Sequence, residues 1–131
     1  MSNLKNKSEI NSAAAILLQK QCFYPSVIHC AYYSCVQYMK HLLLTKLGKT
    51  ELELANEVRN SSNGSHEVMI NNILEHLKNK NKDWKTFLTT ISQLKKLRVS
   101  ADYENIQIDS TKGSNSILLS EAVLKHLKAN I

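Results

Sequence analysis

The chain has 131 residues, a net charge of +6 and an isoelectric point near 9.3, with 43% hydrophobic and 21% charged residues. That length suits one domain, 1–131, able to bury about two-thirds of its unfolded surface without disulfides or metal. No apolar run reaches the roughly 18 residues of a membrane-crossing helix, and three glycines and one proline are too few for a turn-rich β fold.

Residues 1–7 are polar and carry no signal-peptide core, so they read as a flexible tail on a cytoplasmic protein. The first helix is predicted from about Ser8, as N-cap, to Gln21, with Ile10, Ala13, Ala14, Leu17 and Leu18 at helical spacing. Pro25 fits the first turn of a long second helix. That helix carries a stripe of Ile28, Tyr32, Cys35, Met39, Leu42 and Leu43, and Gly48 fits its end. Thr50-Glu-Leu-Glu53 reads as a capping box for a short helix to Arg59. Asn60 to Ser65 is a loop, with Ser65 the expected cap of a helix bearing Val68, Met69, Ile73, Leu74 and Leu77. Asp83 is placed to cap a fifth helix. Tyr103 to Lys112 reads as irregular, and Ser116 as the cap of the last helix. With no strand pattern, the expected fold class is all-α, an antiparallel up-and-down bundle of four to five main helices.

Most common chemistries find no support. Cys22, Cys30 and Cys35 show neither a disulfide framework nor zinc spacing, so buried reduced thiols are expected. No histidine pair sits at i, i+4 with a carboxylate, so no metal site is assigned. Gly-x-Ser-x-Gly and glycine-rich phosphate loops are absent, and no cofactor is implied. The lysine-rich run from Lys78 to Lys85 reads as a solvated junction between helices.

One residue stands out. Arg98 continues the apolar stripe of Trp84, Phe87, Leu88, Ile91 and Leu94, where an unpaired cation would cost several kcal/mol. Asp102 follows at i+4 and Tyr103 one position further round. An arginine steadied by a carboxylate is a phosphate clamp, because its planar fork holds two oxygens at once. The alternative is an internal ion pair closing a helix end or a dimer interface. Tyr32 and Tyr33 point in adjacent directions on the second helix, so only one of them should lie fully in the core. His66, beside Ser65 at a helix start, is a further candidate ligand contact or simply a surface residue.

Three segments together resemble the HEPN family (higher eukaryotes and prokaryotes nucleotide-binding domains). They are Ser12 to Leu18 with Tyr24 to Ser34, which includes Ala31-Tyr32-Tyr33; Ser65-His66-Glu67-Val68; and Leu97 to Tyr103, an Arg-x-x-Ala-Asp-Tyr signature. They cover roughly residues 8 to 127 in the family's order. The resemblance implies a helical bundle that forms a homodimer, with arginine motifs facing one cleft. It also implies RNA, nucleotide or partner-protein binding, including a nucleotidyltransferase-type partner, in toxin–antitoxin or defence systems. Ribonuclease members place a histidine after four to six residues beyond the arginine. Here those positions hold Tyr103, Glu104 and Asn105.

Three readings therefore stand. One is a dimeric binding module using an arginine-lined cleft, with His66, Tyr32 and Tyr33 as ligand contacts. The second is a metal-free ribonuclease toxin using Arg98, Asp102 and Tyr103, and the third is a structural dimer without a ligand.

Overall fold

The computed structural model describes residues 3–131, and among them every regular element is a helix. The order is α1 (Asn3–Lys20), α2 (Tyr24–Thr45), α3 (Glu51–Arg59), α4 (Ser65–Asn79), α5 (Trp84–Tyr103) and α6 (Ser110–Asn130). The all-α expectation is met, with five long helices and one short one.

The α2 helix is the centre of the molecule. It packs along α1 and also touches α4, α5 and α6. Its stripe explains this position, since Ile28, Tyr32, Cys35, Met39 and Leu43 are wholly buried. Small residues let α1 come close. Ser8 lies buried inside α1 and donates to the Ser34 carbonyl at 2.6 Å, while Ser34 donates back to Ala31 O at 2.7 Å. Ser8 is thus a packing residue rather than a cap, and α1 starts at Asn3. The first two residues of the expected tail lie outside the described residues.

Helix ends follow local chemistry. Thr50, Asp83 and Asp109 accept from the backbone N–H three residues on, at 3.1, 3.1 and 2.9 Å. Asp109 therefore starts α6 seven residues before the expected cap, and Ser116 is buried within that helix. At α4 the cap position belongs to Gly64, and Ser65 is the first helical residue. Cys22, Gly48 and Asn81 take φ of +64°, +73° and +54° at the ends of α1, α2 and α4. The following Phe23 and Lys82 amides return to Leu18 and Leu77 carbonyls at 3.0 and 2.9 Å, which satisfies orphan acceptors of α1 and α4.

Only Cys35 is a buried thiol, and burial pushes its pKa up to about 12. Cys22 is exposed and Cys30 half-buried, contrary to the expectation of three buried thiols, because the α1–α2 turn carries Cys22 to the surface. Among the described residues no cluster of metal-binding side chains occurs, and no helix is long and apolar enough to cross a membrane. Lys78 and Lys85 lie over the Trp84 ring at 4.3 and 5.7 Å, so the basic junction shields an aromatic face.

Candidate functional site

The buried residues of α5, Phe87, Ile91 and Leu94, anchor that helix against α2 and lead directly to Arg98. The Arg98 side chain is only 13% exposed. Its Nε donates to Asp102 Oδ2 at 2.9 Å, and its Nη2 donates to the hydroxyls of Tyr33 at 2.9 Å and Tyr103 at 3.3 Å. Its guanidinium carbon lies 5.5, 5.4 and 5.1 Å from the ring centres of Tyr32, Tyr33 and Tyr103. The partly buried cation thus has a carboxylate, two hydroxyl acceptors and three aromatic neighbours. Burial works against its charge, but Tyr33, Tyr103 and Asp102 outweigh it and hold the pKa above the ordinary arginine value. These bonds leave Nη1, with two of the five guanidinium donors, without an acceptor among the described residues.

All six residues singled out in the sequence fall in this cluster. Tyr32 is wholly buried and Tyr33 is partly exposed, as the adjacent directions on α2 required. The Tyr32 hydroxyl meets His66 Nδ1 at 3.2 Å, and the His66 ring stands edge-on to Tyr33 at 5.4 Å. Burial lowers the pKa of His66, and the charges of Arg98 and Lys95 lower it further. The pKa of Tyr32 is raised, mainly by burial, so its hydroxyl stays protonated and can donate to Nδ1. In that arrangement the neutral imidazole carries its proton on Nε2. Beside it, Lys95 and Glu67 pair across α5 and α4.

His29 was not among the sequence candidates. Its Nδ1 lies 3.0 Å from Asp102 Oδ2, the oxygen that Arg98 also uses, and its ring lies 4.6 Å from Tyr33. A carboxylate can only accept, so Nδ1 carries the proton and a neutral His29 keeps its lone pair on Nε2. The His29 side chain is 49% exposed. A signal did exist, since His29 stands one helical turn before Tyr33 on the same face of α2.

The cluster therefore offers free guanidinium donors, the half-exposed His29 imidazole and, at His66, a second imidazole with an N–H. Tyr103 is 71% exposed and Ile106 49% exposed at the end of α5, so the cleft is open on that side. No protein-family model, curated protein or solved structure matches the chain.

Proposed function

We propose that this protein is a HEPN-like binding module whose Arg98 cluster holds a phosphate of RNA or of a nucleotide. The observation that carries the reading is the state of Arg98. It is fixed from three sides through Nε and Nη2, yet Nη1 still presents two donors to an oxyanion. A purely structural ion pair between Arg98 and Asp102 needs neither the open Nη1 nor a surrounding ring of tyrosines and histidines. The +6 net charge favours encounter with polyanions. In this reading two copies face each other across the exposed Tyr103 and Ile106 side of the cleft.

Fluorescence anisotropy with short single-stranded RNA tests it. Arg98→Ala, shown folded by circular dichroism, is expected to weaken binding at least tenfold. Equal affinity of the variant and the wild type overturns the reading.

A second reading, metal-free RNA cleavage, gains support from one observation: His29 is oriented by Asp102 beside Arg98. Nε2 of His29 would take the proton of a ribose 2′-hydroxyl as that oxygen bonds to phosphorus. The phosphorus–O5′ bond breaks, and the leaving oxygen takes a proton from solvent in the open cleft. Arg98 would stabilise the extra negative charge on the phosphorane. Wild-type protein should then release fragments that His29→Ala and Arg98→Ala do not; intact RNA across several substrates excludes this reading.

A further inference from the structure

The helices α2, α3 and α4 line a second space, a half-open cavity of about 380 Å³. It exists because α3 is short and loosely attached. Leu54 is its one buried residue, and its contacts go mainly to α4 rather than to α2. The gap beneath it is walled by Val36, Val58 and Met69 and by the rings of Tyr33 and His66.

Those two rings also belong to the Arg98 cluster. The Tyr33 hydroxyl accepts from Arg98 Nη2 at 2.9 Å, and Tyr33 also lines the cavity. A group attached to a phosphate on Arg98 would therefore reach this space by running along Tyr33. The wall chemistry suits a flat heteroaromatic ring, with an aromatic face, a thioether and branched aliphatic groups. Polar edges are present as well. The Gln37 carbonyl oxygen accepts from Asn11 at 2.8 Å, which leaves its amide N–H groups as donors. Lys40 and Glu51, paired at 3.1 Å, set a donor and an acceptor between α2 and α3 at the same cavity. An apolar chamber with a few polar edges beside an anion clamp is the general layout of a small-ligand site.

We propose that this cavity is a nucleobase subsite. A nucleoside 5′-monophosphate unit binds with its phosphate on Arg98 and its base against Tyr33 beneath α3. The proposal rests on the phosphate-holding reading of Arg98 and adds to it what the phosphate is attached to.

Calorimetric titration with uridine 5′-monophosphate, adenosine 5′-monophosphate, ribose 5-phosphate and inorganic phosphate tests it. At least one nucleotide is expected to bind the wild type tenfold or more tightly than ribose 5-phosphate. Ala55 is exposed on α3 and lines the cavity, so Ala55→Trp fills the space without entering the core. It should abolish the advantage of the nucleotide and leave ribose 5-phosphate affinity unchanged. Arg98→Ala should weaken both ligands. A second measurement, on wild-type protein alone, is nuclear Overhauser contact between base protons and the Tyr33 ring.

If ribose 5-phosphate binds through Arg98 as tightly as every nucleotide, the base subsite is wrong and the phosphate site survives. Nucleotide affinity that Ala55→Trp leaves intact also overturns the subsite. If no phosphate ligand depends on Arg98, both readings fall. An oligouridine pentamer that displaces the mononucleotide at lower concentration identifies an RNA strand as the source of the unit; a weaker pentamer identifies the free nucleotide.

Discussion

His29 and Asp102, 73 residues apart in the chain, meet at 3.0 Å on the same carboxylate oxygen that receives Arg98 Nε. One oxygen thus ties α2 to the end of α5 and sets both the imidazole and the guanidinium. Asp102→Ala removes that tie and leaves a largely buried cation short of its anion. A loss of about 1–3 kcal/mol in urea denaturation is expected. His29→Ala should cost less than about 1 kcal/mol, because its ring is half exposed. In a double-mutant cycle, Arg98→Ala and Asp102→Ala should be non-additive by at least about 0.5 kcal/mol.

Acid should destabilise the protein through His66. Its folded pKa lies below the ordinary 6.5, with burial the main cause and Arg98 and Lys95 adding to it. The unfolded chain therefore binds more protons below about pH 6.5, so stability is full above that value and falls as pH drops. His41, also lowered chiefly by burial, acts in the same direction. His66→Gln should flatten the dependence of melting temperature on pH below about pH 6.5, while the His41 contribution remains.

The start of α6 gives a local test. Asp109 accepts from the Lys112 amide at 2.9 Å, so Asp109→Ala should cost about 1 kcal/mol in chemical denaturation.

Arginine geometry at the site can be separated from its charge. Arg98→Lys keeps the cation but loses the planar fork, so RNA affinity should fall nearly as far as with Arg98→Ala. For Arg98→Ala, the slope of log affinity against log salt should decrease by about one phosphate contact, measured by anisotropy across a salt series.

Much of this was legible in the chain because it is local. The stripe from Phe87 to Leu94 and its continuation at Arg98 follow from the 3.6-residue period, and Asp83, Thr50 and Gly48 act within a few residues of their own positions. The start of α6 was misread because Ser110-Thr-Lys-Gly-Ser114 has the composition of a loop. Gly113 serves packing instead of turning. A Cβ there would stand 2.2 Å from Gln19 Oε1, so the Gln19 side chain of α1 occupies the space beside Gly113 and any larger residue would have to displace it. His29 was missed for a different reason. Its partner belongs to another helix, and no periodicity within α2 reveals which neighbour its face will meet.

The chain contains two arginines, Arg59 on α3 and Arg98. This makes the central claim directly observable in the ¹⁵N spectrum of arginine side chains, with Arg59 as internal reference. On titration with a short single-stranded RNA, the Nε–Hε signal of Arg98 is expected to shift in proportion to binding while that of Arg59 stays in place. An Arg98 signal that does not move while the RNA binds would contradict the account.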